Sequence, residues 1–135
     1  MVEELVLPER LRRLARAPEA DEVEEEEEDS PDGYRAFSLV RGIRQHALML
    51  EFRLRSGDSL AFGYPWLREV RFNRSNGLVL AFDPQIVTVR GRHLESLHAG
   101  VLMHRARWVW EADHASAELV PESAALVEGI TVGPG

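Results

Sequence analysis

Between residues 18 and 32 the chain holds ten carboxylates (Glu19, Asp21, Glu22, Glu24 to Glu28, Asp29 and Asp32) and no basic residue. Like charges in such a run repel, and its few apolar residues cannot offset the entropy of ordering it. Residues 18–32 are therefore predicted to be a disordered acidic linker, and everything patterned enough to fold follows them. From Gly33 to Asp113 the balance reverses, with twelve Arg against seven Asp or Glu. The formal charge of −7 thus averages an acidic linker and a mildly basic domain.

At 135 residues the chain supports one domain with a single hydrophobic core. It contains no Cys, which removes disulfides, thiolate metal ligands and a Cys nucleophile together. The first residues, MVEELVLPERLRR, carry acids and no apolar core segment, so they do not read as a secretory signal. No apolar run approaches the ~18 residues of a membrane span. A cytoplasmic address without membrane partners is the expectation. All sixteen basic residues are Arg, a bias that GC-rich coding explains as readily as selection for guanidinium contacts.

Residues 1–17 read as a short amphipathic helix. Pro8 suits a first helical position, Glu9 the first turn, and Arg12, Arg13 and Arg16 the C-terminal end before Pro18. Leu7, Leu11 and Leu14 share one face, expected to dock on the domain or on a sister chain because so short a helix is marginal alone.

From Tyr34 the period becomes that of strands. Phe37 and Leu39 alternate with polar neighbours, and between Leu48 and Arg55 the residues Leu48, Leu50, Phe52 and Leu54 fall on one face, opposite Met49, Glu51, Arg53 and Arg55. The turn Ser56-Gly57-Asp58 leads to a returning strand through Leu60 and Phe62. Pro65 breaks the sheet, strand resumes at Val70 and Phe72, and Asn76-Gly77 and Asp83-Pro84 mark two further turns around Leu78, Leu80 and Phe82. A strand then spans Ile86 to Arg90.

After Gly91 the period changes to about 3.6, predicting a main helix over about 93–104 with Leu94, Leu97, Val101 and Leu102 on its buried face. This face is expected to pack on Leu50, Phe52 and Phe72. Arg107 to Glu111 alternates again, with Trp108 and Trp110 on one side and Val109 on the other. Residues 114–135 are expected to be a loose tail with at most a short helix near Glu122 to Val127. The predicted architecture is one α+β domain at 33–113: an antiparallel sheet or partly rolled barrel of five to six strands, with one main helix packed on it.

Chemistry-bearing patterns are sparse. His93, His98 and His104 are five and six residues apart, which on a helix spreads their rings over different faces rather than onto one ion. The acids Glu51, Asp58, Glu69, Asp83, Glu95 and Glu111 are scattered, Ser residues lack a nucleophile elbow, and the glycines show no phosphate-loop spacing. The expectation is a domain that is not an enzyme, with no cofactor and no metal.

The stretch Val87-Thr88-Val89-Arg90-Gly91-Arg92-His93-Leu94 is similar to the second conserved segment of Sm-like RNA-binding proteins, a strand ending in hydrophobic-x-hydrophobic-Arg-Gly. The resemblance implies a nucleotide pocket formed with Arg90. It covers about eight residues, and Gly63 to Leu80 offers no counterpart of the Asp and Met-Asn of the first segment.

Arg53, Arg55 and Arg71 could share an outward face, with Arg68, Arg74, Arg90 and Arg92 around them, whereas Phe52, Phe62, Phe72 and Phe82 fall on the apolar phase. Trp66, beside Pro65 in a break of the sheet, is the leading aromatic contact. The candidate binding residues are Trp66, Arg53, Arg55, Arg71, Arg90 and Arg92. The first expectation is a small binding or assembly module that engages a protein partner. The alternative is nucleic-acid or other polyanion binding through an Arg-rich face; an enzyme of unseen chemistry comes third, and homo-oligomerisation stays open.

Overall fold

The computed structural model describes residues 33–42 and 45–134. The amphipathic segment 1–17 and the acidic run 18–32 lie outside them. In chain order the elements are β1 (Phe37–Leu39), β2 (Met49–Arg53), β3 (Ser59–Gly63), a 3-10 turn (Tyr64–Trp66), β4 (Leu67–Asn73), β5 (Gly77–Phe82), β6 (Gln85–Arg92), α1 (Glu95–Leu102), β7 (Ala106–Trp110), α2 (His114–Leu119) and β8 (Leu126–Pro134).

The strands form two four-stranded sheets rather than one sheet of five to six, and neither closes into a barrel. The first has the order β1-β7-β2-β3 and the second β4-β5-β6-β8. Alternation selects their inner faces. Leu50 and Phe52 of β2, with Val109 of β7, meet Leu78, Leu80 and Phe82 of β5 and Val87 and Val89 of β6 in one buried cluster. Phe82 bridges the sheets, with its ring 4.9 Å from Phe62 and 6.3 Å from Phe52. Phe62 and Phe72 complete that layer from partly buried positions.

Three hairpins follow their turn chemistry. Ser56-Gly57-Asp58 joins β2 to β3, Asn76-Gly77 joins β4 to β5, and Asp83-Pro84 joins β5 to β6. β7 departs from that logic, because it enters between β1 and β2 and runs parallel to β2, pairing Glu51 with Trp108 and Arg53 with Trp110.

α1 is one turn shorter at its ends than its apolar spacing suggests. Leu94, Leu97 and Val101 are buried as expected, in one core cluster with Leu50 and Phe52, whereas Leu102, expected on the same face, is exposed; the closest backbone approach of the helix is to β1 and β7. Gly100 permits this approach: a Cβ there would lie 2.5 Å from Leu39 Cδ2. Toward the second sheet, His98 stacks on Phe72 at 4.6 Å and Glu95 pairs with Arg74 of the β4–β5 turn at 3.4 Å. Leu97→Ala is expected to cost ~2–5 kcal/mol, the range for truncating a buried leucine, in a urea titration. A neutral outcome would place α1 outside the core.

The expectation of a loose tail over 114–135 is overturned. Asp113 caps α2 by accepting from Ser116 N–H at 2.7 Å, and β8 pairs antiparallel with β6 from Gln85↔Pro134 to Arg92↔Leu126. The folded unit therefore extends beyond residue 113 and has two helices. Gly129 and Gly133 gave this segment the look of loose chain. Gly129 instead makes room for the Arg90 guanidinium, which lies across it.

The sheets are also joined at their edge. The Glu111 carboxylate, 11% exposed, accepts from Arg55 N–H (2.9 Å), from the Arg55 guanidinium (3.2 Å) and from Ile130 N–H of β8 (3.0 Å). Beside it, Tyr34 Oη donates to the Trp110 carbonyl and accepts from Val127 N–H, and Ala112 N–H donates to the Val127 carbonyl.

Candidate functional site

Three segments converge at one end of the domain: residues 47–49 before and at the start of β2, the 3-10 turn Tyr64–Trp66, and residues 102–105 after α1. Pro65, the middle residue of the turn, cannot donate to a sheet, so the chain turns there from β3 to β4. Tyr64 anchors the turn. Its ring is buried, its hydroxyl donates to the Ala106 carbonyl at 2.7 Å, and burial raises its pKa above the ordinary phenol range.

Against Tyr64, at 4.5 Å and nearly coplanar, stacks His104. This histidine has φ 58° and ends α1 in a Schellman motif, with His104 N–H donating to Val101 and Arg105 N–H to Gly100. Its own carbonyl accepts Ala47 N–H at 2.8 Å, and Tyr64 N–H donates to the Leu48 carbonyl at 3.2 Å. The end of the helix, the turn and the start of β2 are thus held as one unit.

That unit presents apolar side chains to solvent. Leu48 is 84% and Trp66 65% exposed, and Met49, Leu102 and Met103 are each at least half exposed. Leu48 shares parity with Leu50 and Phe52 but precedes the strand and lies outside the core, which corrects its expected inward position. Arg105 turns inward instead, donating to the carbonyls of Val40 (3.1 Å) and Gly42 (2.6 Å). Large exposed apolar side chains gathered on a rigid support are the composition of a contact surface.

The arginine candidates do not gather. Arg53 lies on the outer face of the first sheet, its guanidinium 4.2 Å from the Trp108 ring centre and paired with Glu51 at 3.2 Å. The Ser59 hydroxyl above all, opposed by desolvation and assisted by Arg53, holds the Glu51 carboxyl below its ordinary pKa. Arg55 is committed to Glu111 and to the Glu128 carbonyl. Arg71 stands on the other sheet, paired with Glu69 at 2.6 Å. Arg92 donates to the Val120 and Pro121 carbonyls, and Arg90 covers Gly129. Trp108 is buried and Trp110 half-buried, so neither is an exposed contact.

A shallow depression of about 440 Å³ on the outer face of the second sheet is lined by Arg68, Glu69, Asp83 and Ile86 among others. Its charges are engaged in the Arg68–Asp83 and Arg71–Glu69 pairs. Among the described residues no group of three or more His, Asp or Glu side chains is placed to hold a metal ion, and no helix is long and apolar enough to cross a membrane.

The sequence singled out Trp66 but not Leu48, Met49, Leu102 or Met103, whose exposure depends on where β2 begins and α1 ends. Compared with protein families, curated proteins and solved structures, this chain matches none.

Proposed function

We propose that this domain is a non-catalytic protein-binding module whose contact surface is the apolar end around Trp66. The observation that supports it is the co-display of Trp66, Leu48, Met49, Leu102 and Met103 on a support fixed by the Tyr64–His104 stack. Tryptophan contributes large contact area at low entropic cost and is enriched among residues that dominate binding energy. A polyanion-binding surface is less well supported, because Arg53, Arg55, Arg71 and Arg92 are engaged within the domain and occupy different faces.

The test is affinity capture with the full chain followed by titration of the captured protein. Trp66→Ala is expected to weaken that complex by ~2 kcal/mol or more. Its thermal midpoint should hardly change, since the ring is largely solvated. Arg71→Gln should leave affinity unchanged, and added salt should weaken the complex little. Sub-micromolar binding of single-stranded RNA or DNA that falls steeply with salt would sink the proposal in favour of a polyanion ligand.

A further inference from the structure

Four strands border the two sheets, and three are guarded against pairing with another chain. β1 is three residues long, with an irregular register at Ser38/Leu39. β4 carries Arg68, Glu69 and Arg71 and a register shift between Leu67 and Glu69. The outer edge of β8 is occupied at Val127, Glu128 and Ile130 by Tyr34, Ala112, Arg55 and Glu111, and the strand ends in Gly133-Pro134. Short length, charge, bulges and cover are the devices that keep sheet edges from associating.

β3, Ser59-Leu60-Ala61-Phe62-Gly63, has none of them. It carries no charge and no proline, and its register with β2 is regular from Met49↔Gly63 to Arg53↔Ser59. Its free groups follow from antiparallel alternation. Leu54 N–H donates to the Asp58 carbonyl and Tyr64 N–H to the Leu48 carbonyl, so the hydrogen-bonded pairs in between are Phe52 with Leu60 and Leu50 with Phe62. Ser59, Ala61 and Gly63 consequently direct their N–H and C=O groups outward, and among the described residues no backbone hydrogen bond reaches them.

We propose that β3 pairs antiparallel with β3 of a second copy of this chain, about a two-fold axis at Ala61. In that register Ser59 faces Gly63 of the second copy, and the small Ala61 faces itself. The outward groups of Ser59, Ala61 and Gly63 on both copies then satisfy one another. Leu60, 36% exposed, comes opposite Phe62 of the second copy on the inner face, where Phe62 already stacks on Phe82. An uncharged edge of small and apolar residues offers a charged foreign strand no ion pair, whereas a second copy presents a strand that matches it in composition and length. The pairing stands on the backbone edge of β3; the Trp66 ring lies beside its last residue, 3.4 Å from where a Cβ on Gly63 would be.

Sedimentation velocity on the full chain across the micromolar range should show a dimer. Its formation should slow hydrogen exchange at the Ser59, Ala61 and Gly63 amides. Ala61→Pro removes an N–H that the fold itself does not use, so the thermal midpoint should hold while the dimer weakens at least ~10-fold. Ala61→Lys and Ala61→Glu chains should each be monomeric, through like charges meeting at the axis, and should form a 1:1 dimer when mixed. Leu102→Ala, on the helix that packs against β1 and β7, should dimerise like the unmodified chain while weakening the complex proposed above, which separates the two readings. A chain that stays monomeric, a dimer indifferent to Ala61→Pro, or an edge that takes up only foreign peptides would each overturn it.

Discussion

Gly77→Ala is expected to destabilise the domain by ~4 kcal/mol or more, a large share of the ~5–15 kcal/mol that holds a domain of this size folded. Two effects combine at this position. Gly77 has φ 114°, a conformation that residues with a Cβ rarely adopt. A Cβ there would also overlap the Val89 carbonyl oxygen and lie 3.1 Å from Arg90 Cα, both of them backbone atoms of the paired strand β6. Neither can swing aside as a flexible side chain can. Gly57 is the matched control, with φ 101° in the β2–β3 turn and nothing within 4 Å of its Cβ position. Gly57→Ala should cost about 1 kcal/mol, the conformational part alone. Urea titrations of the two variants should differ several-fold in lost stability; equal losses would refute the close approach of β6 to the β4–β5 turn.

Glu111→Ala is expected to cost ~3–5 kcal/mol, lowering the thermal midpoint by roughly 15–25 °C in a domain of this length. The size follows from what the carboxylate holds. Its removal leaves the Arg55 and Ile130 amides without acceptors and frees the Arg55 guanidinium from its partner, and each lost bond to a charged group is worth ~1.5–3 kcal/mol. β8 should then detach first, visible as faster hydrogen exchange at Ile130 than at Val89. Glu111→Gln keeps an acceptor oxygen and should recover part of the loss. A loss below ~1 kcal/mol for alanine would show that the edge is held by Tyr34 and Ala112 instead.

What could be read from the sequence was local. The turns at Gly57, Gly77 and Pro84, the phase of Leu50 and Phe52, and the buried side of α1 each depend on residues within a few positions of one another. The partners of β7 and β8 were not legible. β7 has the same alternation whether it borders a sheet or enters its middle, and nothing in Trp108-Val109-Trp110 encodes a parallel neighbour in β2. β8 was hidden by Gly129 and Gly133; the reason for Gly129 lies in the distant Arg90, whose guanidinium crosses it, and nothing lies within 4 Å of a Cβ position at Gly133. At the candidate site, Trp66 was visible because Pro65 forces a break. Its companions were not, since the exposure of Leu48 and Met103 is decided by where neighbouring elements stop. The arginines misled for a related reason: Arg53 and Arg71 share strand parity but sit in different sheets.

The parallel seam between β2 and β7 carries a consequence for synthesis. As the chain leaves the ribosome, β4, β5 and β6 can pair in order, each through a short turn, and loop closure is cheap at every step. β1 and β2 cannot join, because the strand that belongs between them, Ala106–Trp110, is made last but for α2 and β8. Until it arrives, the β2–β3 hairpin presents two open edges and the apolar row of Leu50 and Phe52, the state in which nascent sheets associate wrongly. The nascent chain therefore carries an interval of vulnerability set by its topology, which ends on the β2 side when the tryptophan strand slides into place and leaves β3 as the remaining open edge.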